Sequence, residues 1–159
     1  MKKMLPHSEW LKTLPKKRMG VAVLLFNEQN ELLIVKQTYR DKWAVPGGVI
    51  DENESPEKAG LRETSEEIGL NLESLQFLGV QYLPKINDNS EAIEFIFTGG
   101  VLTTKQIKNI KLEEDEISDY QFLKTEEALP VLLEETRNRI SVCLENPNKK
   151  IPIYFEYKN

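Results

Sequence analysis

Apolar residues along the chain fall in short runs and alternations separated by polar clusters, the pattern of strands joined by turns, with two stretches at helical period. Gly20 to Phe26 is a continuous apolar run and reads as a buried strand. Asn27-Glu28-Gln29-Asn30 makes a turn, and Glu31 to Gln37 returns as a second strand, giving a hairpin. After the polar loop Tyr39 to Lys42, Trp43-Ala44-Val45 forms a short strand that stops at Pro46-Gly47-Gly48. Leu75 to Leu83 and Ala92 to Leu102 alternate as two more strands across the polar loop Pro84 to Ser90. Ile117 to Leu123 is another strand, and Ile151 to Tyr157 adds an edge strand.

The first helical stretch begins at Ser55-Pro56, since serine is a good N-cap and proline suits the first helical position. Gly69 ends it. Leu61, Thr64 and Ile68 form an apolar stripe for a core. Gly60 costs about 1 kcal/mol against alanine inside a helix, and its small size lets the helix approach a sheet or ligand closely. The second stretch predicts one long amphipathic helix from a Thr125 cap to about Leu144, with Pro130 tolerated in its first turns. Residues 8–17 read as a short N-terminal arm or turn packed on the domain, with Pro15 limiting any helix. Strands with two substantial helices imply an α+β fold layered around a mixed sheet.

A length of 159 residues suits one domain spanning 1–159. The net charge of −5 argues against nucleic acid as a partner, because nonspecific binding needs a basic face. A nucleotide ligand stays open, since bound metal can neutralise its phosphates. The longest apolar runs are far too short to span a bilayer, and Ser8, Glu9 and Lys12 interrupt any signal-peptide core after Met1-Lys2-Lys3. Cys143 is the single cysteine, so no internal disulfide forms and a cytoplasmic location is expected, with Cys143 as a small buried hydrophobe.

The chemistry gathers in the first helix. At about 100° per residue, Glu63, Glu66 and Glu67 share roughly one third of its circumference. Three carboxylates so placed repel one another, and a hard divalent cation with oxygen ligands would offset that repulsion. The competing reading is a solvated glutamate-rich face. The flanks decide between them: Gly48, Glu54, Arg62, Glu63, Glu66, Glu67, Gly69 and Leu70 fit the string G-x5-E-x7-R-E-U-x-E-E-x-G-U, where U is a bulky aliphatic. The segment closely resembles the signature of the Nudix hydrolase family. Thr64 departs from it by standing in a bulky aliphatic slot.

That resemblance implies an α/β/α sandwich and dependence on Mg2+ or Mn2+. It points to Glu66 and Glu67 as metal ligands, with Glu63 a further ligand or the base that deprotonates water. Gly48, in the Gly47-Gly48 turn, would bring a backbone carbonyl to the same ion. Arg62 would orient neighbouring carboxylates through its rigid fork, and Glu54 would close the loop by pairing with Arg62. Glu116 is the candidate base from outside the box, because Glu116 to Phe122 resembles the acidic strand start of many members, with Phe122 where they carry tryptophan. Its rival reading is a solvated acidic loop over Glu113 to Glu116. Tyr39, Trp43 and Tyr82 are candidates to stack on a base, and Arg40 or Lys36 to meet phosphate. Pro84 lies near where some ADP-ribose-cleaving members carry a proline, and His7 is incidental. The function expected is Mg2+-dependent hydrolysis of a nucleoside diphosphate linked to another moiety, a nucleotide sugar, ADP-ribose or a modified nucleoside triphosphate, with RNA 5′ pyrophosphate removal the weaker alternative. A catalytically silent nucleotide-sensing module is the rival class. A homodimer is compatible with the resemblance, and no interface is legible in the chain.

Overall fold

The computed structural model describes residues 5–85, 90–146 and 151–157. The middle of the polar loop expected after Leu83, residues 86–89, lies outside the described residues, as does the Met1–Met4 start. The strands are β1 (Arg18–Phe26), β2 (Leu32–Gln37), β3 (Trp43–Ala44), β4 (Gln76–Leu83), β5 (Ala92–Val101), β6 (Ile117–Leu123) and β7 (Ile153–Glu156). They form one sheet in the order β3-β2-β1-β5-β4-β7, with β6 on the other edge of β2. Pairing is mixed: β1 runs parallel to β5 and β4 to β7, while β4 and β5 are antiparallel, as are β2 and β6.

The hairpin turn is built by Asn27, whose Oδ1 accepts from the backbone N–H groups of Gln29 and Glu31 at 3.0 and 2.9 Å. Beyond it, β1 and β2 meet only at Phe26 and Leu32, then part. The chain after β3 fills the opening. β3 pairs with β2, while Val23 and Val21 of β1 donate to the carbonyls of Pro46 and Gly48 at 2.8 and 2.9 Å. The Pro46-Gly47-Gly48 turn is therefore wedged into a split in the sheet, and this placement creates the site.

Helix α2 (Pro56–Ile68) starts and ends as its sequence dictates: the Ser55 hydroxyl accepts from the Lys58 N–H, and Gly69 closes the helix at φ 70°. Its inner face, Ala59, Gly60, Thr64 and Ile68, covers Val21, Val23, Leu25, Leu33 and Val35 of the sheet. A Cβ on Gly60 would lie 2.7 Å from Leu75 Cδ1, so the helix does sit closer than a larger residue allows. Thr64 is fully buried and returns its hydroxyl proton to the Gly60 carbonyl at 2.8 Å, which is how threonine serves in an aliphatic slot.

The opposite face of the sheet, Ala22, Leu24, Leu32, Ile34 and Ile96, packs against α4 (Thr125–Ala128) and α5 (Glu134–Glu145), through Ala128, Ile140 and the buried Cys143. The single long helix expected over Thr125 to Leu144 is thus corrected to two helices. Thr125 is the first helical residue rather than the cap. Pro130 has no N–H to continue the ladder, a 3-10 turn follows over Leu129–Val131, and Leu132 and Leu133 are extended. The break lets Leu132 bury itself and bridge to Trp43 of β3. The N-terminal arm also differs from expectation: it contains a helix, α1 (His7–Lys12), with none of its residues buried. Both sheet faces are already covered, and six residues carry no apolar stripe wide enough to compete. A short helix α3 (Thr104–Lys108) was not expected from the apolar pattern; a capping box between Thr103 and Gln106 starts it. Among the described residues no helix is long and apolar enough to cross a membrane.

Candidate active site

A cleft of about 600 Å³ opens where the sheet splits, within the range of small-molecule sites. Its lining includes Gly47 and Gly48 of the wedged turn, Glu63 and Glu67 of α2, Tyr39, Arg40 and Glu116, and also Glu94, Arg139 and Pro84.

Two glycines shape the centre. Gly47 adopts φ 145°, and its N–H donates to Glu67 Oε2 at 2.9 Å. Gly48 has no Cβ, and one placed there would lie 2.4 Å from Glu63 Oε1, so the Glu63 carboxylate occupies the space a side chain would take. The Gly48 carbonyl accepts from Val21 N–H and keeps a second lone pair.

Arg62 organises the carboxylates beside this turn. Its Nε and Nη2 donate to the two oxygens of Glu54, both at 2.9 Å, a bidentate pair. Its Nη1 donates to Glu63 at 2.9 Å and Glu66 at 2.8 Å, and Nη2 also reaches the Val49 carbonyl at 3.1 Å. The expected Glu54–Arg62 closure of the loop is present, and Glu54 also accepts from Asp51 N–H at 3.1 Å. Part of the repulsion among the helix carboxylates is therefore offset by Arg62 itself. Hydrogen bonding to Arg62 holds the Glu54 carboxyl below its usual range, and the Glu54 bond in turn raises the Arg62 guanidinium.

The three helix carboxylates differ sharply in environment. Glu66 is 56% exposed and turns outward with Arg62. The Glu63 side chain is 13% exposed, and burial raises its carboxyl against the pull of Arg62. Glu67 is 3% exposed, and burial pushes its carboxyl up to about 8, with the Gly47 hydrogen bond opposing and the charges of Glu63, Glu116 and Glu66 adding to the rise. Glu116 reaches the cleft because its loop docks on the end of α2: Lys111 and Glu113 donate to the carbonyls of Ile68 and Glu67 at 3.0 and 3.2 Å. Those bonds satisfy C-terminal helix carbonyls that would otherwise be orphaned.

Glu63, Glu67 and Glu116 thus gather carboxyl groups on the α2 side of the cleft, where those that ionise would repel an incoming diphosphate. Among the described residues no three carboxylate, histidine or cysteine groups yet converge on one point at ligand distance, since Arg62 draws Glu63 and Glu66 to itself. The donor set suits a hard divalent cation: buried carboxylate oxygens with raised proton affinity beside a backbone turn open to close approach.

Of the other residues singled out from sequence, Tyr39 and Arg40 line the cleft, with the Arg40 guanidinium 5.5 Å from the Tyr39 ring centroid. Trp43 and Tyr82 are not brought to it. Trp43 packs against the α4/α5 core, while the Tyr82 hydroxyl bonds Glu91 at 2.5 Å and its ring lies under Lys17. Lys36 donates to the Asp41 carbonyl. Pro84 does line the cleft, whereas Glu66 does not. Sequence reasoning missed Glu94 and Arg139. Glu94 had a signal, a charge between Ala92 and Ile96 at inward positions of an alternating strand; Arg139 had none beyond its place on an amphipathic helix.

A family model described as the NUDIX domain matches residues 16–144, from just before β1 to the last turn of α5. The chain belongs to the NUDIX domain family. Over 81 residues it is 37% identical to a candidate 8-oxo-dGTP diphosphatase of Bacillus subtilis (strain 168), a match covering 51% of this chain and 54% of that protein. Over 62 residues it is 37% identical to an RNA pyrophosphohydrolase of Hydrogenovibrio crunogenus, covering 39% of this chain and 38% of that protein. These matches span about half or less of the curated relatives' length. Among solved structures, the MutT protein from Methanosarcina mazei Go1 has a TM-score of 0.69 at 25% identity over 86% of this chain and all of that one. A UDP-X diphosphatase, at 22% identity over 96% of this chain and 76% of that one, has a TM-score of 0.73 and shares the fold. The seven-stranded mixed sheet between helices is thus the NUDIX arrangement, and the Gly48–Leu70 segment supplies its box.

Proposed function

We propose that this NUDIX domain hydrolyses a diphosphate linkage in a small nucleoside diphosphate derivative, with Mg2+ or Mn2+ bound at Glu63, Glu67 and the Gly48 carbonyl, and at Glu66 once its side chain leaves Arg62 and turns to the cleft. The observation that carries the reading is the desolvated pair Glu63 and Glu67, packed against Gly47 and Gly48 in the cleft. The cation would neutralise the phosphate oxygens and acidify water. The chain's own part follows from its residues. Gly47 N–H fixes the Glu67 carboxylate. Arg62, tied to Glu54, holds Glu63 in place without entering the cleft lining itself. Glu63 or Glu116 accepts the proton of the attacking water, the new P–O bond forms, and the bridging P–O bond breaks to leave two phosphate-bearing products. The relatives' names, one with 8-oxo-dGTP and one with RNA, favour a nucleotide substrate without choosing among nucleotide sugars, ADP-ribose and modified triphosphates. A cytoplasmic setting belongs to the same proposal.

A phosphate-release screen with Mg2+ and Mn2+ over nucleoside triphosphates, nucleotide sugars, ADP-ribose, dinucleoside polyphosphates and 5′-triphosphorylated RNA tests it. Metal-dependent turnover of at least one class, abolished by a chelator, is expected; silence throughout would favour a sensing module. Glu116→Gln should lower kcat by about 10²-fold or more with metal affinity within about twofold of wild type. An unchanged rate would remove Glu116 as the base and leave Glu63.

A further inference from the structure

On the α5 side of the split, the cleft holds a charged pair that the hydrolytic chemistry does not use. The side chains of Glu94 on β5 and Arg139 on α5 are 14% and 11% exposed, and Arg139 Nη1 stands 3.5 Å from Glu94 Oε2. That separation is too long for a good charge-assisted hydrogen bond. Beneath the pair, Gln81 is fully buried on β4; its Oε1 accepts from Arg139 Nε at 3.1 Å and its Nε2 donates to Asn138 Oδ1 at 2.9 Å. The Nε edge of the guanidinium is therefore fixed. Burial lowers the Arg139 guanidinium, with the Glu94 charge opposing.

The carboxylate of Glu94 has its own seat. Gly20 is its register partner across β1 and β5, and a Cβ on Gly20 would come within 2.6 Å of Glu94 Oε2. The carboxylate thus lies over a bare Cα. Among the described residues no donor makes a hydrogen bond to it, and Arg139 is its single ion-pair partner. Burying two charges that satisfy each other so incompletely is costly. A ligand that offered N–H groups to the carboxylate and a carbonyl to the guanidinium would complete both.

We infer that Glu94 and Arg139 read the nucleobase of the substrate and select guanine. The N1–H and N2–H₂ groups of guanine present two neighbouring donors to the two oxygens of Glu94, and O6 accepts from Arg139. Hypoxanthine lacks the second donor, and adenine turns an acceptor, N1, toward the carboxylate. Glu94, Arg139, Gly48 and Glu63 line one continuous cleft, so a base held here belongs to a nucleotide whose phosphates lie at the α2 end. The inference rests in that respect on the proposed function.

Nucleoside monophosphates contain no anhydride, so their binding tests base selection apart from hydrolysis. Calorimetric titration of GMP, IMP and AMP in Mg2+ buffer should show GMP about tenfold tighter than IMP and about 10²-fold tighter than AMP, as for a site left with unpaired polar groups by the wrong ligand. Glu94→Gln, measured with its Tm, should bring the three within about threefold of one another. Gly20→Ala should do the same by pushing the flexible carboxylate from its seat, and it decides the matter if Glu94→Gln fails to fold. Equal affinities in the wild-type chain, binding of none of the three, or a guanine preference undiminished in a folded Glu94→Gln protein would overturn the inference.

Discussion

Glu67→Gln is expected to lower metal-dependent hydrolysis by about 10³-fold or more while making the metal-free protein more stable at pH 8 than wild type. The two effects share one cause. Glu67 is buried against the sheet split and held by Gly47 N–H, and its carboxyl is pushed up from 4.5 to about 8. A carboxyl whose folded value exceeds its unfolded value binds more protons in the native state. Stability is then greatest below about pH 4.5 and is lost as pH rises through about 8. Glutamine keeps an oxygen for the Gly47 N–H and carries no charge to desolvate. The variant should therefore gain on the order of 2–4 kcal/mol over wild type at pH 8 and above, read as a Tm higher by roughly 5–10 °C without metal. At pH 4 the two should melt together within a few degrees. A variant that is less stable at pH 8, or that retains wild-type turnover, would contradict the role given to Glu67. The trade fits a residue kept for function at a cost in stability.

Gly47→Ala should be the most damaging single change to the fold. A Cβ there would lie 2.1 Å from the Val21 carbonyl oxygen and 3.0 Å from Ala22 Cα, both backbone atoms in the central strand. Neither yields by a rotamer change. The residue also holds φ 145°, a conformation that only glycine adopts without strain. Strain and overlap together should cost about 3 kcal/mol or more, a fall of roughly 10 °C in Tm. Because the Gly47 N–H anchors Glu67, activity in whatever protein folds should fall as well. A variant with wild-type Tm would mean the turn is not wedged against β1 as described. Thermal melting followed by circular dichroism decides it.

The box was legible because its determinants are local. Ser55, Pro56 and Gly69 set the ends of α2, and the spacing of Glu63, Glu66 and Glu67 follows from helix geometry alone. The strands were legible from alternation, and Ile117–Leu123 came out with both ends correct. What sequence did not reveal depends on contacts distant along the chain. Glu66 turns outward and Glu67 inward because the sheet covers one side of the helix, and no spacing rule says which. Trp43 and Tyr82 looked like base-stacking residues, yet one serves the α4/α5 core and the other pairs with Glu91. Pro130 looked tolerable near a helix start, but burial of Leu132 beside Trp43 favoured a break. The Glu94–Arg139 pair joins residues 45 positions apart in sequence, on a strand and a helix that meet only in the folded chain.

Calorimetric titration of Mn2+ at pH 7 decides whether the α2 carboxylates hold a divalent cation in the cleft. Wild-type protein and Glu67→Gln would be titrated in two buffers of different ionisation enthalpy, so that protons released on binding are counted. The wild-type chain should release close to one proton per ion, because the Glu67 carboxyl is largely protonated at pH 7 without metal. Glu67→Gln should release none and bind about tenfold or more weakly. Equal affinity in the two proteins, or binding of the wild type with no proton released, would mean that the ion is not held by the buried Glu67 carboxyl.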